Sequence, residues 1–169
     1  VAAQDYARVE HIVVSDGPDV ELREKLAGLD LRYEELPEHP DAQWGHYARL
    51  HGIDLAKGDY IAYHDDDNSW HSYHVRLLVR ALEETGADFA YPRMAVHGRG
   101  VEYVIGTDPP AEGHIDTSMI VHRRELLELA TWRWYPGIPT IDWDLVERWM
   151  AGGATWTRVP HVTADYYFH

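Results

Sequence analysis

Short apolar runs alternate with stretches of helical period along the first half of the chain. His11-Ile12-Val13-Val14-Ser15 predicts a buried strand, ended by the turn Asp16-Gly17-Pro18. Asp19 is placed to cap a helix running through Leu26, with Gly28 as its stop. Leu31 to Leu36 reads as a short strand before a proline-bearing loop. A helix from about Trp44 to Ala56 stops near Gly58, and Tyr60 to Tyr63 supplies the next strand, which runs into His64-Asp65-Asp66-Asp67-Asn68. Val75, Leu78, Val79 and Leu82 then recur at helical spacing before Gly86, and Asp88 to Tyr91 is a further strand. Strands alternating with helices predict parallel βαβ units with right-handed crossovers.

The pattern changes in the second half. His97-Gly98-Arg99-Gly100, between apolar stretches, predicts a hairpin turn. Thr117 to Val121 reads as a strand and Arg123 to Ala130 as a short helix. An aromatic loop, Trp132 to Tyr135, precedes a Pro-Gly-Ile-Pro break. A helix from about Asp142 to Met150 ends at Gly152-Gly153, and Thr155 to Val159 and Val162 to Phe168 supply two closing strands. The expected fold is α/β, a mixed sheet flanked by helices, parallel at the start and antiparallel later. It divides into a first half, 1–94, and a second half, 95–169, of one domain.

Composition narrows the function. A chain of 169 residues suits a single domain with a real core. No apolar run is long enough to span a bilayer, so a cytoplasmic domain is the expectation. Without cysteine, thiolate metal sites and disulfides are excluded. The formal net charge is −14, from 29 acidic against 15 basic residues, which argues against a nucleic-acid partner. An acidic protein that handles a phosphorylated ligand needs a cation to neutralise it locally. The twelve histidines are scattered without compact ligand spacing, and most are expected at the surface or an interface.

The sharpest chemical feature is Asp65-Asp66-Asp67 directly after a strand. Ligands of parallel α/β sheets bind beyond the carboxyl ends of the strands. Adjacent carboxylates there repel one another, and a hard cation such as Mn²⁺ or Mg²⁺ relieves the repulsion. A solvated acidic turn capping the following helix would use the same residues.

The wider context favours the metal reading. Ala48-Arg49, Gly52-Ile53, Ala56 and Gly58-Asp59-Tyr60-Ile61 lead in order to the Asp triplet. Upstream stand Gln4-Asp5-Tyr6, Glu10 to Val14 and Asp16-Gly17. Downstream stand Ser118 to Leu126, Ile141-Asp142-Trp143-Asp144-Leu145 and the tail Tyr166-Tyr167-Phe168-His169. In this order the segments resemble the inverting glycosyltransferases of family 2, which have the GT-A fold, a Rossmann-like nucleotide-binding sheet. That family begins with a strand ahead of the Gln-x-Tyr helix. The chain starts inside that helix, so the first strand is expected to belong to a longer polypeptide.

The resemblance implies a nucleotide-sugar donor, with UDP as the expected nucleotide, and a carbohydrate or other hydroxyl acceptor. It implies roles by position. Asp16 binds the base, Arg49 faces the diphosphate, Asp65 and Asp66 hold the ribose side, and Asp67 ligates Mn²⁺ or Mg²⁺ with His169 beside it. Asp142 is the general base that takes the acceptor's proton. Ile141 stands where the family often has Glu, and Asp144 is expected to be structural. Thr117, Ser118, Trp132 and Trp134 are candidates for the acceptor pocket, since sugars stack on aromatic faces. The same aromatics suit a core or a contact between copies, which leaves a homo-oligomer open. A metal-dependent phosphohydrolase and a non-catalytic nucleotide-sugar-binding module are the alternatives. No G-x-G-x-x-G follows a strand, which argues against a Rossmann dehydrogenase.

Overall fold

The computed structural model describes residues 1–38, 45–98, 100–138 and 140–167. Strand β1 (Ile12–Ser15) pairs in parallel with β2 (Arg32–Glu35), Ile12 opposite Arg32. Helix α1 (Val20–Leu26) connects them, and Asp19 caps it by accepting from the Leu22 amide at 2.9 Å. Helix α2 (His46–Leu55) follows and packs against β1, with Gly52 facing Val14. The expected start of this helix at Trp44 lies outside the described residues.

A six-stranded sheet forms the rest. It contains β3 (Tyr60–Ala62), β4 (Asn68–Trp70), β5 (Phe89–Gly98), β6 (Val101–Ile105), β7 (Val121–Arg123) and β8 (Trp156–Tyr167). Their order is β3-β7-β5-β8-β4, with β6 paired to the far half of β5 as the expected hairpin. β5 and β8 run parallel, and the other pairings in this sheet are antiparallel. Parallel and antiparallel pairs thus coexist, as the mixed pattern predicts.

The sheet is covered on both faces. Helix α3 (His74–Thr85) buries Val75, Leu78, Val79 and Leu82 against Ala90, Val121 and Val159. These are the residues at helical spacing in the sequence. Helix α4 (Ile141–Ala151) buries Leu145, Val146 and Trp149 in the other core, with Phe89, Tyr91, Met94 and Trp132. Among the described residues, no helix is long and apolar enough to cross a membrane.

Three expectations are corrected, and one strand was missed. Thr117–Met119 is a turn of 3₁₀ helix, and the strand there is the shorter β7. The helix expected over 123–130 is likewise a 3₁₀ turn, Arg124–Glu128. The two closing strands are one. The β5–β8 register shifts between Tyr91/Arg93 and Arg93/Met94, where Pro92 and Pro160 lack the amides a regular ladder needs. A bulge absorbs both prolines without ending the strand. Finally, β4 was not foreseen, because Asn68–Trp70 directly follows an acidic run and carries too few apolar residues to signal a strand.

Three of the described histidines are interior. His46, His74 and His122 are buried. His122 is held by Tyr63 Oη at 2.8 Å and by the carbonyl of Arg123 at 2.7 Å. Tyr63 follows β3, so this bond ties the entrance of the acidic turn to β7.

Candidate active site

The turn after β3, the start of α4 and the end of β8 converge on one cleft of about 220 Å³. Asp65 and Asp67, in the turn after β3, line it together with Asp116, Asp142 and Thr117. Arg49 of α2 closes one side, its Nη2 2.5 Å from Asp65 Oδ1. The guanidinium lies over the ring of Trp132, 4.9 Å from its centroid. Gly45 lies beside both Arg49 and Asp16. A Cβ there would meet Arg49 Nη1 at 3.3 Å and Asp16 Oδ2 at 3.7 Å, and its φ of 64° is left-handed. Asp16 Oδ1 is buried and accepts no hydrogen bond among the described residues. A buried acceptor without a donor is costly, and a ligand N–H would satisfy it.

A polar network fixes the acidic turn. Ser118 Oγ accepts from the Asp65 amide at 3.0 Å and from Asn68 Nδ2 at 2.8 Å. Asp116 Oδ1 accepts from the Ser118 amide at 2.8 Å and from Asn68 Nδ2 at 3.2 Å. Trp70 Nε1 donates to the Ser118 carbonyl at 2.8 Å. The 3₁₀ turn at Thr117–Met119 therefore holds Asp65 and Asn68 in place.

The electrostatics follow from this crowding. Burial first, then the charges of Asp65, Asp142 and Asp67, push the Asp116 carboxyl up to about 7. Burial also raises Asp142, against hydrogen bonds from the Trp143 amide and Thr140 that favour its ionised form. The amide of Trp143 donates to Asp142 Oδ1 at 2.7 Å. The cleft disfavours negative charge on Asp116 and Asp142, so a cation entering it is welcome. Among the described residues, no three His, Cys, Asp or Glu side chains form a ready metal cage. The donors present fit a hard cation held by one or two carboxylates, with ligand phosphate oxygens and water completing its sphere.

Residues 1–129 match the family model described as Glycosyl transferase family 2. The chain belongs to glycosyl transferase family 2. The family's GT-A fold is present as well. The structure is similar to that of S. aureus TarS, with a TM-score of 0.78 at 17% identity over 99% of this chain and 33% of that one. TarS 1-349 in complex with UDP gives 0.76 at 16% identity, covering 99% of this chain and 54% of that one. The same fragment with UDP-GlcNAc gives 0.76 at 15%, covering 99% and 52%. The chain thus spans a third to about half of these proteins. No curated protein matches the sequence.

Of the family positions inferred from sequence, Arg49, Asp65, Asp67, Thr117 and Asp142 share the cleft, and Asp16 adjoins it through Gly45. Asp66 is exposed and stands outside the cleft lining. His169 lies outside the described residues. Two acceptor candidates are corrected. Trp132 is only 2% exposed, packed edge-on to Tyr63 beneath Arg49, so it supports that arginine and offers no open face to a sugar. Ser118 is fully buried under the acidic turn. Trp134 is half-buried and stacks with His46 at 6.3 Å.

Asp144 is structural, as expected. Its carboxylate is bound by Arg133 Nη2 at 2.6 Å and by Arg148 Nε at 2.8 Å, which ties the aromatic loop to α4. Asp116 and Tyr166 are cleft residues that sequence reasoning missed. The signal for Asp116 was its place one residue before Thr117-Ser118. Nothing local marks it as more than a cap for a turn.

Proposed function

We propose that this domain transfers a sugar from a nucleoside-diphosphate sugar, with UDP as the nucleotide, to an acceptor hydroxyl with inversion at the anomeric carbon. The observation that carries this reading is the convergence of Asp142 with Asp65, Asp67 and Arg49 on one cleft adjoining the unsatisfied Asp16. TarS 1-349 binds UDP and UDP-GlcNAc on a similar fold, which supports a donor of that class.

In this reading Asp16 Oδ1 accepts a hydrogen bond from an N–H of the base. Arg49 keeps a positive charge at the diphosphate end, braced by Asp65 and Trp132. Asp67 would hold Mn²⁺ or Mg²⁺, which when bound disperses charge on the departing diphosphate. Asp142 accepts the acceptor's hydroxyl proton as that oxygen bonds to the anomeric carbon. The bond to the diphosphate breaks on the opposite face, its electron pair leaving with the nucleotide, and the configuration inverts. Burial raises the proton affinity of Asp142, which improves it as a base provided it enters the reaction ionised.

The test is thermal melting with UDP, GDP and dTDP, each with Mn²⁺ and again in chelator. One nucleotide with Mn²⁺ should raise the melting temperature by mass action. Asp67→Asn should lose the metal-dependent part and Asp16→Ala most of the nucleotide-dependent part. A melting temperature unmoved by every nucleotide with Mn²⁺ present contradicts the reading.

A further inference from the structure

Next to the cleft the sheet carries an exposed aromatic ledge. Tyr103 of β6 lies opposite Val96 of β5, and Val96 lies opposite Tyr166 of β8. The three form one row across adjacent strands, with side chains on the same face. Strands about 4.8 Å apart put the two tyrosine backbones about 10 Å apart, within mutual reach over Val96. Val96 is buried in this row, whereas Tyr103 is 54% exposed. Burial first, then the charges of Asp67 and Asp116, raise the Tyr166 hydroxyl, as its place at the edge of the acidic cleft requires. Val101, two residues before Tyr103 on the same face, is 55% exposed. β6 shows its charge, Glu102, on the opposite face, while the face next to the cleft shows Val101 and Tyr103 to solvent.

Tyr166 also lines the catalytic cleft, beside Asp116 and Asp142. The ledge is therefore continuous with the place where the acceptor oxygen must stand. We propose that Val101, Tyr103 and Tyr166 form the platform on which the acceptor docks, and that the acceptor is an uncharged sugar ring. This rests on the donor reading above and adds the class of acceptor to it.

The chemistry favours a sugar over other occupants. A sugar ring has a C–H face that packs on a phenol ring and a rim of hydroxyls that needs polar partners. The ledge supplies the first, and the carboxylates of Asp116 and Asp142 supply the second. A polyanionic acceptor would meet a chain of net charge −14. It would also meet a cleft in which Arg49, the arginine lining it among the described residues, is assigned to the donor's diphosphate. A protein partner would want a broader apolar face than one row of a sheet that slopes into a polar cleft.

The test uses the protein with UDP and Mn²⁺ on a glycan array carrying neutral, sialylated, sulfated and phosphorylated oligosaccharides, with Tyr103→Ala and Tyr103→Phe beside the wild type. UDP affinity by calorimetry is the control for folding. The wild type should retain neutral glycans, Tyr103→Ala should bind them about fivefold to tenfold more weakly, and Tyr103→Phe should stay within about twofold. Retention confined to anionic glycans overturns the proposal. So does equal retention by Tyr103→Ala, and so does the absence of any neutral glycan bound while UDP still binds. Failure of the wild type to bind UDP would instead sink the donor reading, and the platform with it.

Discussion

Replacing His122 with Gln should change how stability depends on pH, by an amount the structure fixes. His122 is fully buried, and burial lowers it from the ordinary 6.5 to about 4; the Arg123 carbonyl pulls it back in part and the Arg124 charge pushes it further down. Between these values the unfolded chain binds a proton that the folded chain refuses. Folding stability from this group is thus complete above about pH 7 and is lost as pH falls through 6.5 towards 4. The slope approaches about 1.4 kcal/mol per pH unit, so roughly 2 kcal/mol disappears between pH 6.5 and 4.5. Gln cannot titrate. At pH 7.5 His122→Gln should be the less stable protein by about 2 kcal/mol, having disturbed the bonds to Tyr63 and Arg123. By pH 4.5 that gap should have nearly closed. Every other titrating group is common to both proteins and cancels in the difference. Urea denaturation followed by tryptophan fluorescence at pH 7.5, 6.5, 5.5 and 4.5 measures it. A gap that stays constant or widens on acidification refutes the assignment of a neutral, buried His122.

Three further outcomes follow from the site and its supports. Gly45→Ala should cost about 1 kcal/mol, because its φ of 64° strains a Cβ that would also press on Arg49, and UDP affinity should fall with it. Asp144→Ala should destabilise by about 1 kcal/mol in thermal or urea melts, since Arg133 and Arg148 lose a shared partner but keep access to water, and full stability would refute that clamp. Ser118→Ala should leave the core volume nearly unchanged yet weaken the metal-dependent response to nucleotide, because the Asp65 amide and Asn68 lose their common acceptor.

What the sequence revealed and what it hid have physical reasons. Periodicity exposed α3 because Val75, Leu78, Val79 and Leu82 all face one sheet. The carboxylates that share the cleft were legible where they close a strand, as at Asp65 and Asp67, or open a helix, as at Asp142. β4 was hidden because Asn68 and Ser69 are polar, and its pairing with β8 is a long-range contact that no local pattern encodes. Pro160 reads locally as a break, yet the parallel partner supplies a matching irregularity at Pro92. Trp132 looks from sequence like a sugar platform, and only the fold places Arg49 on top of it. Asp116 became visible as a cleft residue only when three other carboxylates were found around it. Tyr103 and Tyr166 are far apart in sequence, and the sheet register alone makes them neighbours.

The most direct check on the whole account is turnover by Asp142→Asn. UDP release from a UDP-sugar would be followed with an acceptor the wild type uses, alongside calorimetry of UDP with Mn²⁺. The account predicts UDP affinity within about twofold of wild type and a rate lower by about 10²–10⁴-fold, since only the proton acceptor has been removed. Turnover near the wild-type rate would contradict it, because the acceptor hydroxyl would then be losing its proton to some other group.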